Sequence, residues 1–271
     1  MPRLLLVTTL AHALLGVVLA CALRVKREPI MGVHPAMKPL KFAVSIALFL
    51  GTMALLLPKL SVDTWTREAL AWLFASTMVA ETVVIVGQAA RGTTSHFNVQ
   101  SPLDKAGWNV MFMAIVAATL GIVAVVFLAT TRPLILAGGG HETRLMALAW
   151  RAGLLLLMLA PLSGFAMGGR LRHSVGGEDG EPGLPLFDWS VRHGDLRVAH
   201  FFALHAVQVL PLLAWGLLRV DAPGWARVAI VVTVSVALGA ICVGTLVQAF
   251  AGRPFLGSGG AHRRRARGEN P

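Results

Sequence analysis

Three polar side chains interrupt one long apolar stretch of the chain, and a carboxylate interrupts another. The first stretch holds His200, His205 and Gln208, and the second holds Glu81. Imidazole and carboxylate groups act as general acids and bases near neutral pH. Polar residues in membrane spans are costly and usually face the protein interior at functional sites. We therefore expect Glu81, His205 and His200 to perform acid–base work or to bind a ligand.

The depth of these groups places them near one level of the membrane. At 1.5 Å per helical residue, His205 lies about 12 Å, Glu81 about 13 Å and His12 about 17 Å from the cytoplasmic ends of their spans. In the third span, Thr77, Glu81 and Gln88 share one helix face. No Lys or Arg lies deep in any span, so we expect a histidine to be the ionic partner of Glu81.

A polar run beside the end of the third span would form the entrance to this pocket. The run is RGTTSHFN, residues 91–98, and its Arg91 and His96 would bind an anionic group. The expected substrate-binding residues are polar and lie in or beside the spans: Arg91, His96, Asn98, Asp195, Arg197, Gln208 and Gln248.

The elements that must position these groups are membrane-spanning helices. The chain is 56% hydrophobic and 14% charged, against about 25% charged residues in ordinary soluble domains. Stretches of about 20 apolar residues cross the hydrocarbon as helices, because lipid offers backbone groups no partners. We predict an all-α integral membrane protein with about seven spans: 4–23, 42–60, 69–90, 106–130, 145–165, 197–218 and 225–250.

The excess of Lys and Arg predicts the orientation of these spans. Basic residues concentrate in the first, third and fifth connections and in the C-terminal segment. The positive-inside rule then puts the N-terminus outside and the C-terminus in the cytoplasm. We expect one seven-helix domain over residues 1–255 and a disordered basic cytoplasmic tail over residues 256–271. The partners expected are the bilayer and, for the tail, anionic lipid, with no nucleic acid, in a multi-pass protein of a bacterial-type inner membrane.

The first span and two of the connections between spans carry further predictions about cleavage and local structure. The first span resembles a signal peptide, but Arg24, Lys26 and Arg27 follow it at once, so we expect it to be retained. The first connection is expected to be non-helical through its last proline, Pro39. The fifth connection is rich in Gly and Pro, and its middle, residues 176–183, is expected to form no core and to be mobile.

Motif searches exclude several chemistries and leave four functions open. The chain has no lysine in its last span for a retinal Schiff base, and it lacks HExxH, GxSxG, P-loop and CxxCH motifs. No metal site is expected. The open functions are a membrane-embedded enzyme acting on a small or lipid-like substrate, a b-type cytochrome with haem ligated by His12 and His205, a proton-coupled transporter, and a non-enzymatic sensor or scaffold.

Three stretches carry a resemblance to known sequences. They are HPAMKPLKF (34–42), RGTTSHFN (91–98) and HGDLRVAHFFALHAVQVLP (193–211). They resemble segments of an uncharacterised group of polytopic, seven-span membrane proteins of GC-rich bacteria. The resemblance implies the seven-span fold and carries over no activity. The resemblance also implies that the three stretches contribute to one site at the cytoplasmic end. This adds His34, Lys38 and Asn98 as secondary candidates.

Overall fold

The computed structural model describes residues 3–181 and 183–257. Almost all regular structure in these residues is helical, which confirms the all-α class. The helices and the two short strands are α1 (Arg3–Ala22), α2 (Met37–Leu56), α3 (Thr64–Ala90), α4 (Pro102–Thr131), α5 (His141–Leu157), α6 (Ala160–Arg170), β1 (Ser174–Val175), β2 (Gly194–Asp195), α7 (Leu196–Leu217) and α8 (Gly224–Phe250). The tail predicted for 256–271 lies outside the described residues from residue 258 onward.

Seven helical stretches of the described chain are long and apolar enough to cross a membrane. Five are single helices, the second continues from α2 through a 3-10 turn at Leu57–Lys59, and the fifth joins α5 and α6 over His141–Arg170. Each has at least the roughly 20 residues that a hydrocarbon core requires. The protein is therefore a multi-pass membrane protein by length and composition.

The chain divides into two compact units. The first unit comprises Met1–Leu155 and Val207–Val231, and the second comprises Leu156–Ala206 and Val232–Pro271. In the first unit, α2 packs on α1 and α3, and α3 also packs on α1 and α4. Fully buried Leu50, Met53 and Phe74 form part of its core.

Capping side chains define where α3 and α4 begin. Asp63 precedes α3, and its carboxylate accepts hydrogen bonds from the Thr66 backbone N–H at 2.8 Å and from the Thr66 hydroxyl at 2.7 Å. Ser101 precedes α4 and accepts a bond from the Asp104 N–H at 3.2 Å. The Ser101 hydroxyl donates in return to the Asp104 carboxylate at 2.6 Å. These bonds satisfy N–H groups that the first helical turn leaves without partners.

The α2 helix begins earlier than its apolar pattern predicted. It starts at Met37, so Lys38, Pro39 and Lys41 lie in its first turns rather than in a non-helical turn. The prediction failed because proline is tolerated in the first turn of a helix, where the N–H it lacks would have no partner. Lys38 therefore occupies a fixed helical position beside α3.

A break at Met158–Leu159 divides the fifth span into α5 and α6. Pro161 follows the break and lies in the first turn of α6. A proline there cannot donate to the carbonyl four residues earlier, and its ring clashes with that carbonyl. The sequence pattern predicted one uninterrupted span at this point.

The fifth connection contains two short strands and several hydrogen bonds, and the mobility expected of residues 176–183 stays a prediction. Its ends pair as an antiparallel two-stranded sheet, Ser174 with Asp195 and Val175 with Gly194. From its middle, Asp179 accepts hydrogen bonds from the N–H groups of His173 and Ser174 at 3.1 and 2.9 Å. A Cβ at Gly194 would lie 2.0 Å from the Ala249 carbonyl oxygen, so only glycine fits there. Aspartate bonding to nearby backbone N–H groups supplies the order.

Candidate functional site

Glu81 is the buried carboxylate of the first unit. It lies in α3, and it is 6% exposed. Among residues 3–181 and 183–257, it has no hydrogen-bond partner, and its electrostatic partner is Lys38 of α2. Within the first unit this charged partner is a lysine, because α2 includes Lys38 and its long side chain reaches from the helix start. The pair joins two helices that pack together.

His12 lies beside this centre and has both ring nitrogens engaged. Its Nε2 lies 2.9 Å from the Thr82 hydroxyl, and its Nδ1 lies 2.7 Å from the Thr8 carbonyl oxygen. The side chain is 4% exposed. An axial haem ligand needs one imidazole nitrogen for iron, so His12 would have to give up one of these bonds. The arrangement links α1 to α3 next to Glu81.

A hydrogen-bonded network at the end of α3 engages Arg91. Its Nη1 donates to Gln88 Oε1 at 2.5 Å and to Asp104 Oδ1 at 2.9 Å. Gln88 Nε2 also donates to Asp104 Oδ1 at 2.9 Å, which joins α3 to α4. Asp104 was missed by sequence reasoning, although the Ser101-x-x-Asp104 capping pattern was a visible signal. The Arg91 cation thus has an internal carboxylate partner, while its side chain remains 44% exposed.

The other two residues of the predicted entrance have local partners. Asn98 is 3% exposed, and its Nδ2 donates to the Thr93 hydroxyl and the Thr94 carbonyl, both at 2.9 Å. The ring of His96 lies 5.0 Å from that of Phe42 and 6.1 Å from that of Trp108, centroid to centroid. These contacts stabilise the loop. Binding of an anionic substrate by Arg91 and His96 stays a prediction.

The secondary candidate His34 and the predicted substrate-binding residue Gln208 lie in the same unit. His34 Nε2 lies 2.9 Å from the Val25 carbonyl oxygen, and its Nδ1 accepts a bond from the Ala36 N–H at 3.1 Å. These bonds close the first connection on itself. Gln208 lies in the α7 portion of the first unit. Its assigned role in substrate binding stays a prediction.

His200 and His205 are brought together in the second unit. His200 Nδ1 lies 2.9 Å from the Ala160 carbonyl oxygen and 3.1 Å from the Ser163 hydroxyl, which ties α7 to α6. The His205 ring lies 4.5 Å from that of Phe201, and His205 interacts electrostatically with His200. The first bond indicates a proton on Nδ1, which would leave Nε2 of His200 as an acceptor.

Asp195 and Arg197 form a two-point ion pair where β2 meets α7. Arg197 Nε lies 3.0 Å from Asp195 Oδ1, and Nη2 lies 2.7 Å from Oδ2. Asp195 is 2% exposed and also accepts from the Ser190 N–H at 2.9 Å. Burial acts to raise the pKa of this carboxyl, but the hydrogen bonds and charge of Arg197, with His173, outweigh it and lower the pKa. The pair fixes the start of α7, and the two charged groups bind each other.

Gln248 is the remaining predicted site residue of the second unit. Gln248 Nε2 donates to the Pro254 carbonyl at 2.6 Å, so it holds the segment after α8. In the part of the chain that the structure describes, no three His, Cys, Asp or Glu side chains are grouped to hold a metal ion. The residues predicted to form one pocket are divided between the units. The pairing of Glu81 with His205, and haem ligation by His12 and His205, stay predictions.

Comparisons with protein-family models, with curated proteins and with solved structures return no match for this chain. Its function is therefore inferred from the geometry of its own side chains.

Proposed function

We propose that this multi-pass membrane protein couples its function to proton movement, and that Glu81 is the proton-exchanging group. The observation that carries the proposal is the environment of Glu81, which is 6% exposed within a span and faces Lys38 without a hydrogen bond from any described residue. A carboxylate at this depth costs at least about 2.5 kcal/mol by insertion scales. Such groups in spans are typical of proton relays and ligand sites.

The neighbouring polar residues support a special role for Glu81. Gln88, His12 and Asn98 are buried too, but each has hydrogen-bond partners that account for its burial. Glu81 has, among the described residues, only the charge of Lys38. A carboxylate held by one nearby cation changes its interaction with that cation whenever it gains or loses a proton. Because Lys38 belongs to α2, protonation of Glu81 would alter the attraction between α2 and α3.

The site of action follows from the charge distribution. We propose a bacterial-type inner membrane, with the N-terminus outside and the C-terminal segment in the cytoplasm. The basic residues after 257 would contact anionic lipid of the cytoplasmic leaflet. In this orientation the Lys38 end of α2 faces the cytoplasm, so Glu81 would exchange protons with that side.

A membrane-embedded enzyme is the second candidate. The observation that favours it is the exposure of Arg91, whose side chain is 44% accessible at the end of the helix that carries Glu81. An arginine there could hold an anionic substrate while Glu81 acts as acid or base. Formation of a chemical product from a supplied substrate would distinguish an enzyme from a protein that only exchanges protons.

Proton flux into vesicles tests the first candidate. The purified protein is reconstituted into liposomes that contain a pH-sensitive dye, and a pH gradient is imposed with potassium and valinomycin to balance charge. We expect wild-type vesicles to dissipate the gradient faster than protein-free vesicles, and Glu81→Gln vesicles to match the protein-free rate. Glutamine keeps the size of the side chain but cannot exchange the proton.

Glu68→Gln is the matched control, because Glu68 is an exposed carboxylate of the same helix. We expect it to retain the wild-type flux. Equal flux in wild-type and Glu81→Gln vesicles, with equal protein incorporation, would contradict the proposal.

A further inference from the structure

A cavity of about 200 Å³ opens in the first unit, away from Glu81. It lies where the start of α5, the end of α7 and the start of α8 meet. Its lining residues are His141, Arg144, Leu145, Leu218, Gly224, Arg227 and Val228. These helix ends belong to spans, so the cavity lies at the level where lipid headgroups meet water.

The polar lining is entirely basic. Among the described residues, no carboxylate forms an ion pair with His141, Arg144 or Arg227, and the first two have no side-chain hydrogen bond. Arg227 Nη2 donates to the Val220 carbonyl at 2.8 Å, but its Nε is buried without a partner. A buried donor with no acceptor is costly, and arginine donors match phosphate oxygens in geometry. The lining thus has cationic donors in excess of acceptors.

The backbone adds to the same positive field. Both α5 and α8 begin at the cavity, at His141 and Gly224. The first turn of a helix carries N–H groups without intrahelical partners and about half a positive charge. Two such ends beside two arginines favour an anion further.

The remaining lining is apolar and limits what the anion can be attached to. Leu145 is 2% exposed, whereas Val228 is 39% exposed at the edge of the cavity. A water molecule occupies about 30 Å³ of liquid. The cavity therefore has room for a phosphate and a few attached carbons, with the rest of the ligand outside along Val228 and the lipid.

We propose that this cavity is a phosphate-binding site that holds the phosphate of an anionic amphiphile, with Arg144 and Arg227 as its ligands and His141 at its rim. The shared chemistry is a phosphate group, supplied either by an anionic phospholipid headgroup or by a free phosphate. This site is independent of Glu81 and goes beyond proton exchange.

The test compares lipid retention in wild-type protein and in Arg144→Gln. The full chain is reconstituted in nanodiscs of phosphatidylcholine containing phosphatidylglycerol, then released for native mass spectrometry to count retained lipids. The Arg144 side chain makes no hydrogen bond among the described residues, and its backbone N–H bond to the Gly140 carbonyl does not depend on the side chain, so its replacement should leave folding unchanged. We expect the wild type to retain phosphatidylglycerol in preference to phosphatidylcholine. In Arg144→Gln the affinity for phosphatidylglycerol should fall about tenfold, because one set of charged donors is lost. Arg144→Gln/Arg227→Gln should weaken it further.

Arg3→Gln is the matched control, because Arg3 is exposed at the start of α1 and does not line the cavity. It should retain lipid as the wild type does. In a second arm, inorganic phosphate is titrated against detergent-purified protein by calorimetry. Lipid retention that depends on Arg144 supports a headgroup site, and phosphate binding that depends on Arg144 without lipid retention supports a free-phosphate site. Equal binding of both ligands by wild type and Arg144→Gln overturns the proposal.

Discussion

At the scale of residues, buried charges in this protein occur in two different settings. Asp195 has an arginine and a backbone N–H at hydrogen-bond distance, whereas Glu81 has the longer-range charge of Lys38. A buried ion pair contributes stability when hydrogen bonds satisfy both partners, and removing one partner costs about 3–5 kcal/mol. Asp195 therefore has the environment of a structural carboxylate. Glu81 has that of a group whose protonation can change.

The Asp195–Arg197 pair predicts how stability depends on pH. Asp195→Asn is expected to lower the free energy of unfolding by about 3 kcal/mol at neutral pH. Because the folded pKa of Asp195 is lowered, its contribution is fully present above its ordinary pKa and is lost as pH falls through the folded value. The difference between wild type and variant should thus shrink below about pH 4. The measurement is the unfolding temperature of both proteins in detergent, from pH 7 to pH 3.

Glu178→Gln serves as the control for this experiment, since Glu178 is an exposed carboxylate of the same connection. Its stability should follow the wild type at every pH. A constant difference between wild type and Asp195→Asn across this pH range would contradict the assignment.

At the scale of elements, the broken fifth span positions His200. The short helix α6 begins after the break and presents Ala160, Ser163 and Gly164 to the imidazole of α7. A Cβ at Gly164 would lie 3.3 Å from Cε1 of His200, which is a close fit. The contact combines a small residue with an interhelical hydrogen bond, as is common between membrane helices.

Gly164→Val is expected to separate α6 from α7. The added methyl groups would overlap His200 and cost about 1–3 kcal/mol, the usual range for overpacking a filled site. The measurement is the unfolding temperature of the purified protein in detergent. Gly169→Val introduces the same residue in the same helix at a position with nothing within 4 Å, and it should have the smaller effect. Equal effects of the two variants would show that helix propensity, and not packing on His200, sets the cost.

At the scale of the whole molecule, the seven spans alternate across the membrane, so one orientation determines every connection. With the N-terminus outside, Gln100 before α4 faces the cytoplasm and Asp221 before α8 faces outward. Both residues are exposed. The basic cavity beside Gly224 would then lie at the outer leaflet, on the side opposite the Lys38 end of α2.

Cysteine labelling tests this orientation. Gln100→Cys and Asp221→Cys are each made in a background in which Cys21 and Cys242, both free thiols, are replaced by alanine. A membrane-impermeant maleimide should label residue 221 in intact spheroplasts and residue 100 only after permeabilisation, because Lys and Arg are retained on the cytoplasmic side. The reverse pattern would invert the topology and place the Lys38 end of α2 outside.

The sequence by itself determined the fold class and the number of long apolar helices, because span length and lack of charge are set by the hydrocarbon thickness. Burial of Glu81 and His12 also followed from sequence, since polar residues in spans turn from lipid. The partners of these buried polar side chains did not follow from the sequence, because they depend on which helices pack together. Only the tertiary structure paired Glu81 with Lys38, His12 with Thr82 and Arg91 with Asp104. It also revealed the basic cavity, whose lining brings the start of α5 together with the end of α7 and the start of α8, which are distant from α5 in the sequence.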